Sequence, residues 1–125
     1  KKMKEIILGM LLLMVLPLKI ENLPADINLE IEKENSLLKV YLKCYNPTLE
    51  TINFKVGLNI VKNGAEGKAT ILQKQNIKIL PKEEIKPMIG VIKINPQDLY
   101  LIEIKIWNKE GKLIFEKTIT SGNLV

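Results

Sequence analysis

The chain has 125 residues, room for one domain of ordinary size, with 46% hydrophobic and 26% charged residues and a formal charge of +5. That balance favours a folded domain over a disordered one. It also excludes most catalytic and nucleic-acid classes. Histidine is absent, Cys44 is the single cysteine, and Asp26 and Asp98 are the only aspartates. The commonest metal ligand and general base are therefore missing, and no intrachain disulfide can form. All 19 basic residues are lysine, so the arginine fork that reads bases and phosphates bidentately is not available. The expectation is a non-enzyme with no cofactor, no metal and no nucleic-acid partner.

Residues 1–5 are basic, and Ile6 to Leu16 form an eleven-residue apolar run closed by Pro17. A membrane-spanning helix needs about 20 apolar residues, so the run matches the n-region and h-region of an export signal better than a full span. Leu23-Pro24-Ala25 is a weak cleavage site, so residues 1–25 are read as a signal peptide or an uncleaved signal anchor. Residues 26–125 then form one domain, periplasmic or otherwise extracytoplasmic, touching membrane only if the segment stays uncleaved. Residues 1–22 carry four lysines and two glutamates, which leaves the rest of the chain at about +3.

From Asp26 onward apolar side chains recur at every second position, the period of a half-buried strand. Ile27, Leu29 and Ile31 make the first such row, and Leu38, Val40, Leu42 and Cys44 the second. Asn46-Pro47-Thr48 breaks the chain before Ile52, Phe54, Val56, Leu58 and Ile60. Lys62 to Gly67 is a glycine-rich hairpin turn. The next strand, Ala69 to Leu80, slips in its alternation near Gln75-Asn76, which suggests a bulge. After Pro81 to Glu84 come an Ile-rich segment over 85–94, the Asn95 to Asp98 loop, and the row Tyr100, Ile102, Ile104 and Ile106. Asn108-Lys109-Glu110-Gly111 is a hairpin signal, and Leu113 to Thr120 is the last strand. Seven alternating segments predict an all-β, immunoglobulin-like antiparallel β-sandwich.

Cys44 shares the phase of an inward row and reads as a buried, inert thiol. Gly64 to Gly67 lacks Walker spacing and a following helix, so it is a turn. Trp107 is out of phase with the isoleucines before it, on the solvent face or at a rim where an aromatic can anchor a partner. Lys68, Thr70, Gln73, Lys74, Gln75, Asn76 and Lys78 form a polar strand. It is either a solvated edge guarded by lysines or a surface for an extended segment of another chain.

With the strand order, the stretch from Val61 to Leu113 resembles the curli assembly proteins of the CsgC/CsgH family. The residues that carry the resemblance are Lys62, the Gly64 to Gly67 turn, Gln73, the Ile77-Lys78-Ile79-Leu80-Pro81 strand, the Ile94 to Asp98 loop and Glu110-Gly111-Lys112. The resemblance implies an exported, chaperone-like protein that holds curli-type amyloid subunits and inhibits premature polymerisation. The other function class open to such a sandwich is an envelope-tethered structural or adhesion module. Some family members carry a Cys-x-Cys pair; Ile52 and Phe54 stand at the corresponding positions, so a redox role finds no support. The partner-binding residues implied are Lys62, Lys68, Lys74, Lys78 and Gln73, with the protein acting as a monomer.

Overall fold

The computed structural model describes residues 12–65 and 67–121, among which there is no α-helix and nine β-strands. In chain order these are β1 (Leu12–Leu18), β2 (Asp26–Glu34), β3 (Leu37–Tyr45), β4 (Ile52–Gly64) and β5 (Gly67–Ile79). They continue with β6 (Glu84–Ile85), β7 (Met88–Lys93), β8 (Leu99–Asn108) and β9 (Leu113–Thr120). One sheet runs β1-β2-β3, with β6 and β7 sharing the far side of β3; the other runs β5-β4-β8-β9, and every pairing is antiparallel. Without β1, this is the division of an immunoglobulin-like sandwich, in which hairpins stay within a sheet and the longer connections cross between sheets.

The packing follows from the period-two pattern. Leu29, Leu38, Val40, Leu42, Ile60, Ile102, Ile104 and Ile106 are wholly buried between the sheets, as are Cys44 and Ile79. Their β-branched and leucine side chains interdigitate across the gap between the two inner faces. Gly90 lies on β7 directly over the Leu58 side chain, where a Cβ would collide with Leu58 Cδ2. A residue without a side chain is what lets the two sheets close there.

Three features differ from the expected pattern. Strand β1 falls in the segment read as an export signal. It pairs with β2 from Leu12↔Lys33 to Leu18↔Ile27, and Leu18, Ile20 and Leu23 belong to the core. Apolar residues of a leader can complete a sheet edge as readily as a helix, because the hydrophobic run satisfies both. Residues 1–11 lie outside the described residues. The count of seven strands is also exceeded, since β1 is added and Lys86-Pro87 divides the Ile-rich segment into β6 and β7. Finally, β5 has no bulge. Its register against β4 is continuous from Ile52↔Ile79 to Gly64↔Gly67. The alternation slips because Gln73 and Gln75 occupy inward-phase positions at an open edge, where burial makes no demand for apolar side chains.

Two turns are fixed by side-chain hydrogen bonds. Asn46 is fully buried, and its Nδ2 donates to the carbonyls of Glu50 at 2.7 Å and Ile79 at 2.9 Å. Its Oδ1 accepts from the Thr48 amide at 2.9 Å and the Thr48 hydroxyl at 2.7 Å. Its own amide donates to Glu83, and its carbonyl accepts from Lys82. One asparagine thus ties the β3–β4 crossover to the end of β5 and the turn after it. In the β8–β9 hairpin, Asn108 Oδ1 accepts from the Glu110 and Lys112 amides while Gly111 takes a φ of 88°.

Candidate partner-binding surface

On β4 the even-numbered side chains from Ile52 to Ile60 face the core, so Asn53, Lys55, Gly57 and Asn59 face outward. The register sets Lys78, Asn76, Lys74 and Leu72 of β5 beside them on one flank, and Trp107, Lys105 and Glu103 of β8 on the other. The middle of this outer face therefore mixes lysine and asparagine with one tryptophan, one leucine and one glutamate. That composition follows from the strand phase alone.

Trp107 lies flat across this face because Gly57 has no side chain. A Cβ at Gly57 would sit 2.8 Å from two atoms of the indole ring. Lys74 then places its ammonium 5.3 Å from the ring centroid, within cation–π range. The stack of Gly57, Trp107 and Lys74 divides two shallow grooves. One, of about 670 Å³, is bordered by Asn53, Lys55, Asn76, Lys78 and Lys109. The other, of about 310 Å³, is bordered by Asn59, Leu72, Glu103 and Lys105. Asn59 Oδ1 is buried without a hydrogen-bond partner, and Leu72 is 69% exposed. Both grooves present hydrogen-bonding groups and cations around an apolar ridge.

The residues implicated by sequence divide into three sets. Lys68, Lys74 and Lys78 share the outer row of β5, all exposed. Gln73 is exposed too, but it points to the opposite side of the same strand, toward the seam between the sheets. Lys62 belongs to the inner row at the end of the sandwich. Its Nζ donates to the Lys93 carbonyl at 2.7 Å and lies 3.6 Å from the buried Asp98 carboxylate. Asp98 Oδ2 in turn accepts from the Asn95 amide at 2.8 Å. Lys62 thus locks the β7–β8 loop, and Lys74 and Lys78 are the lysines that meet at a groove.

Sequence reasoning placed Trp107 on the solvent face or at a rim, and it occupies the solvent face. It missed Gly57, although a glycine in the middle of a strand signals close approach by another group. Cys44 is buried, as its phase predicts, and burial pushes its thiol up to about 12. No group of three acidic, histidine or cysteine side chains among the described residues is arranged to hold a metal ion.

No family model and no curated protein sequence matches the chain. Solved structures do. The curli protein CsgC of E. coli superposes with a TM-score of 0.53 at 11% identity, over 75% of this chain and 96% of CsgC. CsgH of R. palustris superposes with a TM-score of 0.50 at 12% identity, over 85% of this chain and 91% of CsgH. The chain has a CsgC/CsgH-like fold.

Proposed function

We propose that the protein is an exported, non-enzymatic binding module that holds curli-type amyloid subunits in extended form and delays their polymerisation. The observation that carries this reading is the fold shared with CsgC across nearly the whole of that protein. The exposed edge of β5 supplies a physical route. Amyloid-forming chains offer polar, amide-rich strands that seek an unpaired edge. Over Gly67–Asn76, β5 is exposed or half-exposed on both faces, and it carries Gln73 and Gln75 on one side and Lys68 and Lys74 on the other. A strand can pair there, while the row of lysines disfavours stacking of a second layer.

The test is fibril growth of a curli-type subunit followed by thioflavin fluorescence with substoichiometric protein. A prolonged lag supports the reading, and a lag that does not change at equimolar protein rejects it. The alternative of an envelope-tethered module gains from the burial of Leu18, Ile20 and Leu23, because cleavage near residue 25 would remove all three from the core. Intact-mass measurement of the native protein separates the readings: a mature form starting near residue 25 favours the free chaperone.

A further inference from the structure

Strand β1 is poorly matched to the edge that it covers. Its inner residues Met14 and Leu16 are only half-buried, although they oppose Ile31 and Leu29, which are among the most buried residues of the domain. Its outer residues Leu13 and Val15 are 49% and 50% exposed, and they stand across from the carboxylates Glu32 and Glu30. A leucine and a valine opposite two glutamates contribute little cross-strand attraction. Pro17, opposite Asn28, has no N–H to donate to the ladder. The grip of the segment lies instead at its other end, where Leu18, Ile20 and Leu23 enter the core.

The edge beneath is built to last. β2 pairs with β3 without a break from Asp26↔Tyr45 to Glu34↔Leu37. Glu30 is held in place by Lys86 at 2.8 Å, and Lys86 also lies over the Tyr41 ring at 4.9 Å. The backbone groups that β2 turns toward β1 are therefore positioned whether or not residues 12–16 cover them.

We propose that the edge of β2 from Leu29 to Lys33 is a second strand-acceptor site, which a partner occupies by displacing residues 12–16 while Leu18 stays docked. The partner is an extended segment of another protein. Its apolar side chains alternate, to fill the places of Met14 and Leu16, and basic residues stand between them, to face Glu30 and Glu32. Main-chain hydrogen bonds supply the affinity and the two carboxylates the selectivity. This site lies on the opposite sheet from β5 and selects basic segments; it requires a chain that retains residues 12–23, whereas the amyloid-subunit reading does not.

The test uses the full chain and a synthetic peptide of residues 12–16 with lysine at the places of Leu13 and Val15. Binding is measured by calorimetry, and hydrogen exchange reports on displacement. The lysine peptide is expected to bind and to accelerate amide exchange in residues 12–16, while β2 stays protected. A peptide with glutamate at the two places should bind at least about fivefold more weakly. Joining Leu13→Cys to Glu32→Cys as a disulfide should weaken the lysine peptide by at least about tenfold relative to the same protein reduced, because the intramolecular strand can no longer leave. Unchanged exchange in residues 12–16 at saturating peptide overturns the proposal, as does equal affinity of the oxidised and reduced forms. A homodimer that the disulfide abolishes, with no peptide binding, overturns it in favour of strand exchange between copies.

Discussion

Replacing Asn46 by aspartate alters a single group and isolates the contribution of its two donated hydrogen bonds. The side chain is fully buried, and Nδ2 bridges the carbonyls of Glu50 and Ile79. In Asn46→Asp the oxygen that accepts from Thr48 is kept. The donor is replaced by a second oxygen pointing at two carbonyl oxygens. Loss of two bonds costs about 1 kcal/mol each, and the stranded Ile79 carbonyl adds about 1–3 kcal/mol. The sum, about 3–5 kcal/mol, is a large share of the roughly 5–15 kcal/mol that holds a domain folded.

The pH dependence has a definite sign. Burial against two carbonyls disfavours the charged carboxylate, so the group titrates higher in the folded variant than in the unfolded chain. The favourable contribution of the protonated form is complete below the unfolded value near about 3.9, and it is lost as pH rises through the folded value. Protonated, the carboxyl also regains one donor. The variant should therefore trail its parent by about 3–5 kcal/mol at pH 7 and by about 1–2 kcal/mol at pH 3. Urea unfolding of both proteins at each pH measures this. A slope near 1.5 kcal/mol per molar converts the pH 7 loss to a midpoint lower by about 2–3 M. Asn46→Ala, which cannot titrate, should lose about 3 kcal/mol at both pH values. A gap between Asn46→Asp and its parent that is the same at pH 3 and pH 7, or that stays under about 1 kcal/mol, would refute the assignment of Asn46 as the tie.

Other substitutions probe the core, the corner and the outer face. Gly90→Val should destabilise by about 1–3 kcal/mol through overpacking against Leu58, read as a lower midpoint with an unchanged slope. Lys62→Ala should cost about 2 kcal/mol by leaving the Asp98 carboxylate short of its cation, and on the proposed function it should leave the thioflavin lag intact. Lys74→Glu with Lys78→Glu should do the opposite, shortening the lag with a stability loss of no more than about 1 kcal/mol, from the lost stack of Lys74 on Trp107. Cys44 should resist thiol reagents at pH 8 until the chain is unfolded. Its protonated form supports folding fully below the ordinary thiol value near about 8.5, and that support erodes as pH climbs toward about 12.

The two sheets were legible because alternation in β2, β3, β4 and β8 is strict, and a period of two admits one assignment of faces. β5 was harder to read, since an edge strand exposed on both faces carries no burial signal, and Gln73 and Gln75 looked like a bulge. β1 was illegible for a different reason. An unbroken run of apolar residues has no period-two alternation, so its pairing with β2 could not be read from it. The Gly57–Trp107 contact joins residues 50 positions apart, so no local pattern names Trp107 as the group that Gly57 admits. The same holds for Asn46 and the Ile79 carbonyl. Such long-range single contacts set the candidate surface, while periodicity sets the scaffold beneath it.

The outer strands explain why β5 stands out as a place for a partner. Unpaired edges invite other chains, and proteins blunt them in several ways. Among the described residues, β1 carries Pro17 within the strand, and Pro87 interrupts the edge formed by β6 and β7. β9 is shorter and meets β8 through a register shift between Ile106 and Trp107. β5 has 13 residues, no proline and an unbroken register, so Lys68, Lys74 and Lys78 of its outer row are its main guard. A guard made of charge weakens with salt, whereas one made of proline does not. The hold on an extended partner at β5 should therefore respond to ionic strength in a way that the other edges do not. If the thioflavin lag conferred by the protein is the same at 50 mM and 500 mM salt, after correction for the subunit alone, then charge on β5 does not govern the encounter.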